Sequence, residues 1–206
     1  MWYLPYESQG NLFYSDNGQI SSLAGNRRWI MIVTETDIEG LKIIDIEPHR
    51  DNRGFFARAF CKEEFAKNNL ESEIIQCNLS HNIQKGTLRG MHYQIPPHEE
   101  IKMVRCTKGT IFDVAVDLRE NSPTYLKWRG FEIRADNYSM LYIPRGCAHG
   151  YQTLEDDTTV FYMVTEPFHP ESERGIRWND PTITIKWPLP VSFISDKDNN
   201  YSDFIP

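Results

Sequence analysis

From Leu41 onward the chain runs in short apolar or alternating stretches, each closed by a turn signal, and this punctuation constrains its fold more than any other feature. The stretches are residues 41–46, 54–56, 74–75, 103–104, 111–118, 131–133, 141–143 and 160–164. Between them fall Lys108-Gly109, Asn121-Ser122-Pro123, Ala135-Asp136-Asn137 and Pro144-Arg145-Gly146. In such turns glycine supplies positive φ, proline pre-sets φ, and Asn or Asp bonds back to its own backbone. Many short strands with tight connections make an antiparallel meander, sandwich or jelly roll, so the expected class is all-β. Only residues 62–69 read as helix, and they are few. Within 111–118, alternation puts Phe112, Val114, Val116 and Leu118 on one face and Asp113 and Asp117 on the other, the pattern of a half-buried strand.

Residues 1–32 lack this periodicity and are rich in Gly, Asn, Ser and aromatics, so they read as an amino-terminal arm preceding a barrel domain over 33–206. Trp2, Tyr3, Tyr6, Phe13, Tyr14 and Trp29 are many aromatics for a free tail, and the arm is expected to pack on the barrel or on a partner subunit. A chain of 206 residues is long enough for one sizeable core. Its net charge of −7 argues against binding along a phosphate backbone, so no nucleic-acid partner is expected. No stretch approaches the roughly 20 apolar residues of a membrane span, and the polar residues around 5–10 do not resemble a signal peptide, which points to the cytoplasm. Cys61, Cys77, Cys106 and Cys147 lie far apart with no Cys-x-x-Cys pair, and are expected to be buried, reduced thiols rather than a zinc site or a disulfide framework.

Chemistry-bearing residues concentrate in Gly86-Thr-Leu-Arg-Gly-Met-His-Tyr-Gln94 with Lys102, and in Ile143-Pro-Arg-Gly-Cys-Ala-His-Gly150. Both are expected where strands meet turns. The second has the Pro-x-Gly-x-x-His form of a cupin's second metal motif, but the His-x-His that would complete a metal cage is missing, because His92 is followed by Tyr93 and Gln94. His98, Glu99 and Glu100 lie close by, which leaves a rearranged cage as the alternative to a metal-free site.

Taken together, several motifs in one order carry a strong resemblance to the dTDP-4-dehydrorhamnose 3,5-epimerase family. They are Arg53-Gly-Phe-Phe56, Gln76-Cys-Asn78, Leu88-Arg-Gly-Met-His-Tyr-Gln94, Lys102-Met-Val-Arg105, Phe112-Asp-Val-Ala-Val-Asp117, Ser122-Pro-Thr124, Ala148-His-Gly150 and Trp178-Asn-Asp180, and the likeness spans roughly residues 37–198. The resemblance implies a cupin-type jelly-roll barrel that works as a homodimer, without cofactor or metal. The implied reaction inverts C3 and C5 of a nucleotide-linked 4-keto-6-deoxy sugar, as in conversion of dTDP-4-dehydro-6-deoxy-D-glucose to dTDP-4-dehydro-L-rhamnose for polysaccharide synthesis. The C4 ketone acidifies the hydrogens on both neighbouring carbons, so a base, an acid and a partner for the enolate oxygen suffice. By resemblance, His92 is the base and Asp198 its carboxylate partner; Asp113, which strand parity sets facing inward, is the fallback. A histidine suits this work because its ordinary pKa lies near neutrality and a carboxylate behind it fixes the tautomer. Lys102 matches the family lysine near the C4 oxygen, and Tyr162 the proton donor on the opposite face, with a leading role at C5. The plain structural readings of these residues are a core histidine, a solvated carboxylate, a surface lysine and a barrel tyrosine.

The remaining matches imply substrate holders: Arg53 and Arg89 as clamps on diphosphate or sugar oxygens, then Gln76, Asn78, His149, Glu173 and Lys197, and Phe168 where the family stacks an aromatic on the base. Arg53 is implied to serve the partner subunit's site. Two departures stand out. Arg58 replaces a substrate-contacting glutamate, and Met163 replaces the lysine that often follows the tyrosine, a change expected near the chemistry. The rival readings are a C3-only epimerase, a metal-dependent cupin enzyme, and a barrel that binds a sugar nucleotide without turnover.

Overall fold

The computed structural model describes residues 31–205 together with the backbones of two short strands, β1 (Leu12–Tyr14) and β2 (Ile20–Ser22), which pair antiparallel. The side chains of the arm's aromatics lie outside the described residues. Residues 1–30 form one compact unit and 31–206 another. In the larger unit the chain runs through β3 (Met31–Glu35), β4 (Lys42–Ile46), β5 (His49–Asp51), β6 (Gly54–Phe56), α1 (Lys62–Lys67), β7 (Gln76–Asn82), β8 (Leu88–Gln94), β9 (Lys102–Lys108) and β10 (Thr110–Asp117). It continues through β11 (Trp128–Arg134), β12 (Ser139–Ile143), β13 (Cys147–Thr153), β14 (Thr158–Val164), β15 (Glu173–Gly175) and α2 (Asp196–Asn199).

These strands form two antiparallel sheets, in the orders β11-β10-β13-β8-β15 and β3-β4-β12-β9-β14-β7, with β5 and β6 as a separate hairpin. One core lies between the sheets, where Ile111, Ala115, Ile133 and Tyr151 meet Val104, Cys106, Leu141 and Val160. A second covers the outer face of the six-stranded sheet, with Phe65 of α1 and Leu70 packed on Met103, Met140, Tyr142 and Met163. A third covers the outer face of the five-stranded sheet, where Ile176, Ile183 and Ile185 of the carboxy-terminal segment pack on Met91, Val114, Val116 and Ala148. Both sheets are therefore clad on both faces. That corrects the reading of β10 as half-buried: Ile111 and Ala115 face the inter-sheet core, Val114 and Val116 face the carboxy-terminal layer, and both sets are buried.

Several other expectations change. Residues 74–75 precede β7 rather than forming a strand, and β3 and β13 were not anticipated. His92 and His149 lie within β8 and β13, not at strand–turn junctions. Cys106 and Cys147 are buried, but Cys77 is exposed and Cys61 half-buried; all four are free. The turns expected at 108–109, 121–123, 135–137 and 144–146 do connect successive strands from β9 to β13.

Asp117 ends β10 and anchors the turn that follows. Its buried carboxylate accepts from Arg119 Nε and Nη2, both at 2.8 Å, from Ser122 Oγ at 2.5 Å and from Thr124 Oγ1 at 2.7 Å. Burial alone would raise this carboxyl, yet the donors outweigh it and hold the pKa at about 2. Because the folded value lies below the unfolded one, the stabilisation is complete above about pH 4 and is lost as pH falls toward 2, an amount of about 2 kcal/mol. Asp117→Asn is expected to lower unfolding free energy at pH 7 by about 3 kcal/mol, since it leaves Arg119 without its partner. Urea titrations at pH 7 and across pH 4 to 2 check both points: the variant loses the acid-dependent portion, and an unchanged midpoint at pH 7 would refute the anchor.

Candidate active site

β8 and β13 lie next to each other with His92 directly opposite His149 in the register, and a shift between His149 and Tyr151 breaks the ladder there. Their backbones come close because neither facing residue has a side chain. A Cβ on Gly90, whose φ is +121°, would lie 2.6 Å from the Cα of Gly150. The Gly90 and Gly150 positions thus let two imidazole-bearing strands sit side by side.

Each histidine has its own carboxylate. Asp198 Oδ1 accepts from His92 Nε2 at 2.7 Å, and its Oδ2 accepts from the Gly90 amide at 3.1 Å. Asp198 lies in α2, whose cap Ser195 accepts from the Asp198 amide through Oγ at 3.1 Å. The segment before it is tied to β8 by the Leu88 amide bonding the Phe193 carbonyl at 2.9 Å. Burial pushes the Asp198 carboxyl up, but the bond and charge of His92 and the Gly90 and Ser195 bonds more than offset this, holding it below the usual carboxylate value. Asp198 is thus ionised at neutral pH, and an Nε2–H bonded to it leaves the lone pair of the His92 ring on Nδ1. Asp113, the fallback partner, instead bonds His149 Nε2 at 2.6 Å, because strand pairing sets Asp113 beside β13 rather than β8.

Two adjoining cavities of about 250 Å³ each share His92, Lys102 and Tyr162 in their walls. His92 comes from the five-stranded sheet, Lys102 and Tyr162 from the six-stranded sheet facing it. Lys102 Nζ forms an ion pair with Glu100 Oε1 at 2.9 Å and donates to the His92 carbonyl at 3.2 Å. Burial raises the Tyr162 phenol, with the Arg89 charge countering only in part, so it carries its proton at neutral pH. These strands therefore place a carboxylate-backed imidazole and a protonated phenol on facing sheets around the same cavities.

The first cavity also takes in Arg89, His149 and Asp198. Arg89 Nε is held by Asn82 Oδ1 at 2.7 Å. The second takes in Gln76, Asn78, Glu100, Phe168 and Glu173. Gln76 bonds Asn78 at 2.8 Å, and Lys197, outside the wall, bonds Glu173 at 2.5 Å. Phe168 is 57% exposed at this cavity. Arg53 is not brought in: it sits in the β5–β6 turn, its side chain 90% exposed and bonded to Asp51. Arg58 pairs with Glu64 of α1 at 2.5 Å, so the changed charge has a partner in its own chain. Met163 is not near the chemistry, because alternation along β14 turns it away from Tyr162 into the core under α1.

Sequence reasoning assigned no role to Tyr151, which lines the first cavity and bonds Ser80 Oγ at 2.8 Å, or to the pairing of Glu100 with Lys102. The second was legible as Glu-x-Lys, two residues apart and hence on one side of an extended chain. Among the described residues, the cluster with metal-ligand spacing is His98, His169 and Glu171. The two rings stack at 3.6 Å and 8°, an arrangement whose planes do not converge on one ion. It includes neither His92 nor His149, whose Nε2 atoms already face carboxylates.

The family profile of dTDP-4-dehydrorhamnose 3,5-epimerase matches residues 35–205. The chain is 42% identical over 171 residues to an enzyme of that name from Sinorhizobium fredii, covering 82% of this chain and 88% of the relative. A crystal structure of the Bacillus anthracis enzyme with TDP and pyrophosphate bound is similar at a TM-score of 0.83 and 36% identity, covering 85% of this chain and all of that one. A 3'-monoepimerase from Streptomyces bikiniensis in complex with dTDP-quinovose is similar at a TM-score of 0.75 and 31% identity, covering 82% and 85% of the two chains.

Proposed function

The chain belongs to the dTDP-4-dehydrorhamnose 3,5-epimerase family, and from that premise we propose that it converts dTDP-4-dehydro-6-deoxy-D-glucose to dTDP-4-dehydro-L-rhamnose. The observation that carries the reading is the opposed pair: a carboxylate-backed imidazole on one sheet and a protonated phenol on the other, lining the same two cavities. His92 Nδ1 takes the proton from the carbon beside the ketone, the C–H electron pair moves into an enolate, and the charge gathers on the C4 oxygen. The Lys102 ammonium stabilises that oxygen. Tyr162 returns a proton to the opposite face, the carbonyl re-forms, and the centre is inverted. His92 and Tyr162 regain their starting protonation states by exchange with solvent.

Arg89 and His149 hold the sugar–diphosphate portion, Gln76, Asn78 and the Lys197–Glu173 pair hold polar groups in the second cavity, and Phe168 stacks on the base. Arg53 serves the site of a second copy, in a homodimer. Its distance from its own chain's cavities supports this, as does the edge strand β7, flanked and lined by Ile75, Leu79 and Ile83 at 58%, 73% and 76% exposure. Light scattering on the full chain is expected to give a mass near twice 24.1 kDa; a monomer would remove Arg53 from the site. Among the described residues no helix is long and apolar enough to cross a membrane.

The direct test is incubation with dTDP-4-dehydro-6-deoxy-D-glucose in deuterated water, followed by NMR. Deuterium at both C3 and C5 with formation of the L-sugar is the expected result. Exchange at C3 alone would make the chain a single epimerase, like the S. bikiniensis enzyme to which it is similar. Tight dTDP binding with no exchange would make it a binding barrel.

A further inference from the structure

A lysine ammonium has three N–H bonds on a flexible four-carbon stem, and its direction is poorly set unless the protein holds it. The Lys102 ammonium is held by two protein oxygens, ion-paired with Glu100 Oε1 at 2.9 Å and hydrogen-bonded to the His92 carbonyl at 3.2 Å. The second of these moves with the base itself. Glu100 is unusually placed for a carboxylate: its side chain is 7% exposed, and Oε2 is buried with no partner among the described residues. Holding a carboxylate in so sheltered a position costs free energy that one ion pair does not fully offset.

We propose that Glu100 is the positioning residue for Lys102. That ion pair, together with the hydrogen bond to the His92 carbonyl, fixes where the ammonium sits and leaves N–H groups to serve the cavities that Lys102 lines with His92 and Tyr162. An oxygen there is met by a cation already held beside the cavity, so stabilisation of the developing enolate needs little movement of the lysine. A charged partner is required because the attraction between the two charges is what holds the ammonium. Glutamine in its place keeps the shape and an acceptor but holds the ammonium only weakly. The inference rests on the reading of Lys102 as the partner of the ketone oxygen.

The test is a double-mutant cycle on the full-length protein, read by the rates of deuterium entry at C3 and C5 and by the affinity for dTDP. Glu100→Gln is expected to lower kcat about 30-fold at both carbons, with KM and the dTDP Kd unchanged within about two-fold. In a Lys102→Met background the same change is expected to cost less than about two-fold, because the residue it acts through is gone. Equal losses in both backgrounds, or a wild-type rate for Glu100→Gln alone, would overturn the proposal while leaving the role of Lys102 intact. A Lys102→Met protein as fast as wild type would instead remove the reading of Lys102, and the inference with it. If circular dichroism shows Glu100→Gln to be unfolded, Glu100→Asp is read by the same criteria, since it keeps the charge but withdraws it by one methylene.

Discussion

Replacing His92 by alanine is expected to slow deuterium entry at C3 and C5 together by about 10³-fold, while the affinity for dTDP stays within a few-fold of wild type. Both carbons lie beside one ketone, and the cavities contain a single imidazole backed by Asp198. The other cavity-lining imidazole, His149, faces Asp113 instead and belongs to a separate pair. Asp198→Asn is expected to give a smaller loss, about 10²-fold, because the imidazole that takes the proton remains and what is lost is the charge that stabilises its protonated form and favours its tautomer. The ordering of the two variants is the informative result. Were Asp198→Asn as slow as His92→Ala, the carboxylate would be doing more than orienting the ring. Were His92→Ala near wild type, the base would be another group. Neither change should unfold the protein, since His92 is one-third exposed and the local frame is set by backbone bonds between β8 and the 193–198 segment.

The all-β class was legible because the turn signals between β9 and β13 are local, and each reports a backbone conformation that few residues adopt. The strands that carry the site were the harder part. β13 is buried at every position and β8 at four of seven, so neither shows the alternation that marks a strand exposed on one face. Polar residues such as His149 and Gln152 sit in such strands only because Asp113 and the Leu189 carbonyl satisfy them, and no local pattern announces those partners. The pairing of His92 with Asp198 joins positions 106 apart; resemblance to the family suggested it, whereas spacing and periodicity were silent. Strand parity, where applied, was informative in both directions. It set Asp113 on the inward face, and the same rule applied to β14 would have shown that Met163 points away from Tyr162. The partner of Arg58 was not legible for a different reason: Glu64 lies six residues later on a helix, and only the fold brings it back to Arg58.

Tyr162→Phe is expected to separate the two inversions: the rate of C5 inversion falls by at least about 10²-fold, C3 inversion falls by less than about 10-fold, and the C3-inverted sugar accumulates. The variant removes one oxygen and keeps the ring, so packing against the core between the sheets is retained and the fold is not in question. What is lost is a proton that burial holds on the phenol. A C3 anion beside a hydroxyl-bearing carbon can be quenched by water entering with the substrate. A C5 anion carries a methyl group, which shields it from solvent and makes it more dependent on a donor in the wall. Because exchange and inversion are different events, both must be followed: His92 can return a deuteron to the face it came from, giving C5 exchange with retention. C5 deuterium without L-sugar would therefore place Tyr162 at reprotonation, after the base has acted. Equal loss of exchange at both carbons would place it earlier, in holding the substrate against His92, and the acid would then have to come from elsewhere in the two cavities.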